Sequence, residues 1–282
     1  MSVINTNVSA TLAANAVARN DRSMGVSMER LSTGLRINSA KDDAAGLAIS
    51  TRMTSQVSTL NMGVRNANDA ISMIQTIEGA SNEISNMLVR MKELAVQSAS
   101  GTYSNDDRAA LALEFNALKA EITRVETNTK WNTKAVMAAE TTTTISVRLG
   151  DSAMDIKFKD WAVTGNAANT NHVFGTALGS SDISTTSAGA GAELAITTLD
   201  AAILAATAEQ AKYGSYISRL THAADNLTNV AQNTDQSRSR IQDADYAVET
   251  TNLARTQIIS QAATAMLAQA NQSKQGVLSL LQ

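Results

Sequence analysis

Cysteine and proline are both absent from the 282 residues, and aromatic side chains make up only 3%. Without cysteine there is no disulfide framework, no thiolate metal site and no cysteine nucleophile. At an average usage of about 5%, proline would appear about fourteen times in a chain this long. It breaks helix interiors by removing an N–H and clashing with the preceding turn, so its absence suits long helices. Few aromatics leave little bulk for a compact core. The apolar fraction of 44% comes largely from Ala, with Leu, Ile, Val and Met, and Ala both favours helix and lets helices approach closely. The length allows one or two domains. A net charge of -3 gives no basic footprint, which excludes nucleic acid as a partner. No run of 18 apolar residues occurs, so no membrane insertion is expected. Met1 to Ser9 lack the basic and apolar regions of a signal peptide. The expectation is a cytosolic chain, or one that leaves the cell without a cleaved signal.

What is present is heptad spacing. Met53, Val57, Leu60, Val64, Ala67, Ile71 and Ile74 follow alternating steps of four and three. One extra three-residue step follows, and Ile77, Ile84, Leu88, Met91 and Ala95 continue. Such a stammer overwinds a coiled coil without ending it. A helix over 53–98 would be about 70 Å long at 1.5 Å per residue. Leu111, Phe115, Leu118, Ile122 and Val125 predict a second helix. A third runs through Ile196, Leu199, Ile203, Ala206, Gln210, Tyr213, Ile217, Leu220, Ala224, Leu227 and Ala231. Gln210 is polar inside that seam, where such a residue fixes register at some cost in stability. One stripe alone is equally the core face of a globular bundle. Three of this length, without proline, favour an elongated one.

The two ends form a matched pair. Residues 1–18 carry no charge, and Val3, Ala10, Val17, Met24 and Leu31 recur every seven positions. From Thr256 to Gln282 the only charge is Lys274; Ala254, Ile258, Ala265 and Ala268 keep heptad phase, and Leu278, Leu280 and Leu281 close the chain. A solvated helix carries charges on its outer face, and these helices do not. They are also too weakly apolar to form a stable core alone. We read these residues as an assembly core, ordered when other copies of the chain surround it; frayed tails are the alternative.

Between the helical halves, Thr141 to Phe158 alternates. Ile145, Val147 and Leu149, then Met154, Ile156 and Phe158, flank Gly150-Asp151-Ser152, which predicts a hairpin. Residues 165–193 are rich in Gly, Ser, Thr, Ala and Asn and are expected as exposed loops. A chain that goes out, turns and returns pairs its two arms along their length. The expected fold is therefore mainly α: an elongated antiparallel coiled-coil helical bundle of N- and C-terminal arms with a small β-hairpin insert.

No residue set for covalent chemistry is expected. His172 and His222 have no second histidine or cysteine at ligand spacing and are read as surface residues. Gly189-Ala190-Gly191 is followed by Leu194 where a dinucleotide loop needs glycine. Asp42-Asp43 suits helix capping and pairing with Lys41 or Arg36 better than cation binding. There is no Gly-x-Ser-x-Gly elbow and no phosphate loop. No catalytic, metal or cofactor residues are assigned, and an enzyme is not expected.

The stretch Leu31-Ser-Thr-Gly-Leu-Arg-Ile-Asn-Ser-Ala-Lys-Asp-Asp-Ala-Ala-Gly-Leu-Ala-Ile-Ser50 closely resembles the N-terminal signature of bacterial flagellins. Arg65-Asn-Ala-Asn-Asp-Ala-Ile-Ser72 and Glu78-Gly-Ala-x-Asn-Glu-Ile84 extend the match. The far end is similar too, through Ile241-Gln-Asp-Ala-Asp-Tyr-Ala247, Leu267-Ala-Gln-Ala-Asn271 and Val277-Leu-Ser-Leu-Leu281. The resemblance covers roughly 1–140 and 190–282. It implies an inner terminal-helix domain from 1–44 and 241–282, a rod from 45–140 and 190–240, and a short variable outer insert over 141–189. Glycines between Gly34 and Gly46 stand where helices stop and restart. The resemblance also implies an extracellular filament subunit, exported unfolded through the flagellar type III apparatus. Its implied partners are other copies of itself, an export chaperone, a filament cap and hook-filament junction proteins.

One departure concerns a turn. The family usually has Phe-Asn-Gly after the second rod helix, and Lys130-Trp131-Asn132-Thr133-Lys134 stands there instead. Leu88 to Gln97 resembles the rod motif recognised by a vertebrate toll-like receptor. Arg90, Glu93, Leu94 and Gln97, with Glu114 on the next helix, are read as an exposed contact face beside the Leu88, Met91 and Ala95 seam. The terminal leucines similarly resemble the segment read by cytosolic innate sensors. The resemblance leaves one rival, a hook-filament junction protein, which shares parts of both ends; the residues leave two more, a membrane-active amphipathic protein, weakened by the missing basic face, and an enzyme using the insert.

Overall fold

The computed structural model describes residues 7–137, 143–163, 172–174, 178–179, 181–184 and 190–279. Their order is α1 (Val8–Thr33), α2 (Ala44–Ala99), α3 (Asn105–Asn128), β1 (Lys130–Trp131), β2 (Lys134–Ala135), β3 (Thr143–Leu149), β4 (Ser152–Phe158), α4 (Ala190–Gln242) and α5 (Tyr246–Ser279). The fold is mainly helical with a small antiparallel hairpin, as the sequence predicts. The chain divides into two compact units, one of Met1–Val57 with Gln232–Gln282 and one of Ser58–Ala231. The boundaries fall inside α2 and α4.

In the terminal unit, both ends of α1 and the starts of α2 and α5 are tied by a side chain or a glycine. Asn7 caps α1 by accepting from the Ala10 N–H at 3.1 Å. Gly34 ends it at φ 73, and its N–H donates to the Arg30 carbonyl at 2.9 Å. That left-handed conformation is open to glycine at no steric cost. Asp42 accepts from the Asn38 and Ser39 N–H groups and the Ser39 hydroxyl. Led by the Ser39 hydroxyl and N–H, these bonds hold its carboxyl below the ordinary range. Asp43 caps α2 by accepting from the Gly46 N–H at 2.8 Å. A Cβ on Gly46 would lie 2.6 Å from Ile37 Cδ1. Capping is thus what the two aspartates do; Arg36 donates to the Ile241 carbonyl instead of pairing with them. Asp245 caps α5 by accepting from the Ala247 N–H. Backbone bonds from Arg36 to Gln242 and from Ala244 to Gly34 join the two helix–helix connections.

The larger unit holds the core. Buried side chains along α2 include Ala67, Ile74, Ile77, Ile84, Leu88, Met91 and Ala95, and along α4 Leu199, Ala206, Tyr213 and Leu220. From Val64 to Ala95, including the stammer after Ile74, and from Ile196 to Leu227, the expected seams face this core. Gln210 donates to Ser85 Oγ at 3.0 Å and Asn82 Oδ1 at 3.1 Å, and Lys92 pairs with Asp200 at 2.5 Å. Rising numbers on α2 thus meet falling numbers on α4, which makes the pair antiparallel. α3 starts with a capping box between Ser104 and Asp107 and buries Phe115 and Ile122.

β3 and β4 pair antiparallel with Ile145 opposite Ile156 and Val147 opposite Met154. Val147, Leu149, Met154, Ile156 and Phe158 are buried, so the predicted alternation is real. The hairpin tip lies against α2. Gly150 takes φ 73, and a Cβ built on Gly63 would stand 2.6 Å from the Gly150 nitrogen. Asn66 Nδ2 donates to the Arg148 carbonyl beside it.

The turn that departs from the family pattern also closes as a two-residue hairpin. Lys130 pairs with Ala135 and Trp131 with Lys134, with Asn132 at φ 47 and Thr133 at φ 66. Left-handed backbone at both central positions is what a tight hairpin of this kind requires, and a β-branched residue adopts it only under strain. Thr133→Gly is expected to stabilise the chain by about 0.5–1 kcal/mol, read as a rise in unfolding temperature; an unchanged or lower value would contradict the strain.

Two expectations need correction here. Residues 165–193 were expected as exposed loops, yet Val173, Phe174, Leu178 and Ile183 are buried. They complete an aromatic core in which Trp161 stacks edge-on with Phe174, Phe158 lies 5.9 Å from Tyr213, and the Trp161 ring N–H donates to the Tyr213 hydroxyl. Ser98 donates to the Ile183 carbonyl, and Lys119 to that of Gly179, fastening the segment. Second, α4 is long and apolar enough by composition to cross a bilayer, although no unbroken apolar run was found. Its Ala content raises the average, and its Leu199–Leu220 stripe belongs to the core.

Candidate assembly site

α1 and α5 pair antiparallel. Asn7 donates to the Ala270 carbonyl, Asn20 to that of Thr256, and the Tyr246 hydroxyl to that of Leu31. Beside half-buried Val26 and Arg30, the inward positions of α1 are Ala10, Ala13, Val17, Asn20, Met24, Ser27 and Leu31; this last set forms the seam. They step by three and four in strict alternation. Those of α5 are Glu249, Leu253, Thr256, Ser260, Ala263, Leu267 and Ala270. The buried positions on these two helices are polar: Asn20, Ser27 and Glu249 are 9%, 6% and 5% exposed. No aromatic side chain joins them, since Tyr246 is exposed.

Glu249 is the centre of this seam. Its Oε1 accepts from Arg30 at 2.9 Å and its Oε2 from the Ser27 hydroxyl at 3.1 Å. Burial opposes ionisation, but the bonds from Arg30 and Ser27 outweigh it and hold the carboxyl below the ordinary range. A carboxyl with a depressed folded-state pKa contributes stability above its unfolded value and loses it as pH falls through the folded value. α1–α5 pairing is therefore expected to weaken on acidification below the ordinary carboxylate range, and Glu249→Gln to remove that pH dependence. Circular dichroism across pH 6 to about 2.5 checks it; an identical acid transition in the variant would contradict the role of Glu249.

On the outward faces, apolar side chains stand among polar ones and are not covered by the described residues. Val8, Leu12 and Met28 on α1, and Val248, Ile258, Ile259 and Met266 on α5, are exposed, Leu12 at 65% and Ile258 at 67%. The sequence-predicted residues divide between the two faces. Ala10, Val17, Met24 and Leu31 lie on the internal seam, while Ala254, Ile258, Ala265 and Ala268 point outward. Leu278 lies in α5, and Val3, Leu280 and Leu281 lie outside the described residues. The missed seam residues, Asn20, Ser27 and Glu249, are polar and give no apolar period.

On α2, Arg90, Glu93 and Gln97 are exposed, as is Glu114 on α3. Arg90 donates to Glu93 at 2.9 Å and to Glu114 at 2.9 and 3.0 Å, so both helices hold it. Leu94 was expected on this face and is 1% exposed. A helix inside a bundle buries a stripe wider than a two-position seam, and that stripe takes in Leu94. His222 is exposed as expected. His172 is not: its side chain is 6% exposed and stands 3.0 Å from Asp160. Among the described residues no cluster suited to a metal ion occurs.

Helical ends that pair with each other through a polar seam and turn apolar faces outward define a self-associating structural subunit. The family descriptions "bacterial flagellin N-terminal helical region" and "bacterial flagellin C-terminal helical region" match residues 4–142 and 196–281. A flagellin of Halalkalibacterium halodurans is 40% identical over 92% of this chain and 95% of its own. Flagellin B of Vibrio anguillarum is 33% identical over 99% of each. A solved structure described as a putative flagellar hook-associated protein from Vibrio parahaemolyticus has TM-score 0.58 over 72% of this chain and all of that one; at 12% identity it shows shared fold alone. The chain belongs to the bacterial flagellin family.

Proposed function

We propose that this chain works as a structural subunit, polymerising head-to-tail into the helical flagellar filament that drives motility. The observation that carries the reading is the set of exposed apolar side chains on the outward faces of α1 and α5, which the described residues do not cover. Copies that meet through two different surfaces build an open helix whenever the rotation between them does not close. Burial of those faces then couples the order of the terminal helices to polymerisation. The terminal unit forms the inner part of the filament, the helices of the larger unit its rod, and the insert its outer surface. Purified chain at high concentration is expected to form sedimentable filaments. Removing about 30 residues from either end, about 45 Å of helix at 1.5 Å per residue, takes away most of α1 or of α5 and should abolish them; filaments from truncated chain would overturn the reading.

The chain reaches the cell exterior unfolded through the flagellar export apparatus, with a chaperone on its C-terminal segment and a cap guiding assembly. The uncharged termini and the weak α1–α5 seam support a chain that stays unfolded until exported. An intact N-terminal sequence in secreted protein tests the uncleaved route, and a shortened one would contradict it. Arg90, Glu93, Gln97 and Glu114 form a contact for a vertebrate innate receptor, with Arg90 as its anchor. Arg90→Asp is expected to lower receptor activation at least tenfold, by analogy with hot-spot losses above about 1.4 kcal/mol. Activation equal to that of the unmodified chain would remove the assignment.

A further inference from the structure

α5 is almost without charge. Between Thr250 and Ser273 its one charged residue is Arg255, which is exposed in the single molecule. Among the described residues Arg255 forms no ion pair. It lines a groove of about 440 Å³ along one side of the α1–α5 pair, with Asn252 and Ile259 of α5 and Ser23, Val26 and Arg30 of α1. Glu249 stands in the same groove, but Arg30 and Ser27 already hold its two oxygens. The Arg30 Nε is buried with no hydrogen-bond partner. The groove thus carries two guanidinium groups against one carboxylate, an excess of one positive charge. A guanidinium covered there by a neighbouring copy and left without a partner would oppose assembly strongly. The groove therefore calls for an acidic group.

The chain itself carries one in the right place. Asp21 and Glu29 are the carboxylates of α1, and both are exposed. Asp21 precedes Arg30 by nine residues, about two and a half turns at 3.6 residues per turn, so the two side chains point to opposite sides of α1. Glu29, one residue before Arg30, stands only about 100° round the helix from it. Copies that associate head-to-tail meet through two different surfaces, and Asp21 marks the side of the helix pair away from the groove.

We propose, on the filament reading above, that the groove lined by Arg30 and Arg255 receives Asp21 of a second copy, and that this ion pair sets the register between neighbouring terminal helices. Asp21 brings the one negative charge that the groove lacks. Its two oxygens can accept from the fork of the Arg255 guanidinium side by side, which fixes direction as well as distance. Taken out of water, such a pair discriminates more than it stabilises: matched charges decide which neighbouring surface fits, and like charges in the same place are rejected.

Charge exchange in the full chain, read by sedimentation, tests the pair. Arg255→Asp and Asp21→Arg each set like charges against one another. Each is expected to raise the concentration needed to pellet about a hundredfold or more. Helical circular dichroism should not change, because both positions are exposed. Asp21→Arg combined with Arg255→Asp in one chain restores opposite charges and should pellet within about threefold of the unmodified chain. An equal mixture of the two single variants should pellet as well, since each supplies the surface that the other lacks. Single variants that pellet like the unmodified chain would overturn the pair and leave the filament reading standing. A double variant that stays in the supernatant would overturn it too. An unmodified chain that never pellets would defeat the filament reading itself, and the pair with it.

Discussion

Replacing Ile258 or Leu12 by Asp is expected to give a chain that folds and does not polymerise. Both side chains are largely exposed in the single molecule, so the folded monomer should change by no more than about 0.5 kcal/mol. In the polymer each loses about 2 kcal/mol of apolar burial and places an unpaired carboxylate in contact with protein, which costs several kcal/mol more. A total near 4–6 kcal/mol corresponds to a rise of about a thousandfold or more in the concentration needed to assemble. Sedimentation reads this directly: the unmodified chain pellets while the variants stay in the supernatant, with unchanged helical circular dichroism. Variants that pellet normally would show that these faces are not the assembly surface.

Gly63→Val is expected to give the largest loss of monomer stability. The added Cβ would lie 2.6 Å from the Gly150 nitrogen and 3.1 Å from the Leu149 carbonyl carbon. Both are backbone atoms, so no rotamer change relieves the clash. Either the hairpin tip lifts from α2, exposing Leu149 and Leu60, or α2 bends. Overpacking of this kind costs about 3 kcal/mol, or roughly 6–12 °C in unfolding temperature for a domain of this size. The near contact of Leu227 with both glycines means that Leu227→Ala would relieve only the side-chain part of the clash. An unfolding temperature within a degree or two of the original in Gly63→Val would show that the tip does not dock there.

Where contrast between faces was strong, the fold was legible in the sequence. Ile74, Ile84, Leu88 and Met91 alternate with charged and polar neighbours, so the core face of α2 and its phase slip were readable. The hairpin was readable for the same reason, from Val147 and Ile156 on one face and Arg148 and Asp155 on the other. α5 was not. Ala, Ser, Thr and Gln surround it nearly evenly, so a heptad through Ala254, Ile258, Ala265 and Ala268 looks no worse than the real one through Leu253, Thr256, Ala263 and Leu267. The first set faces outward and the second faces α1. Polar seam residues were invisible to any apolar period: Asn20 and Ser27 are buried because they hydrogen-bond across to Thr256 and Glu249. His172 looked like a surface histidine because its partner Asp160 is brought beside it by the fold, and no local spacing announces that pair.

Amide hydrogen exchange of α1 and α5, compared between free chain and sedimented polymer, is the most direct measurement of whether neighbouring copies cover the terminal helices. Exchange over 8–33 and 246–279 should slow by about a hundredfold or more on polymerisation, the equivalent of at least 2.7 kcal/mol of added protection, and by more than anywhere in 58–231. Terminal helices already as protected in the free chain as in the polymer would contradict assembly through these faces.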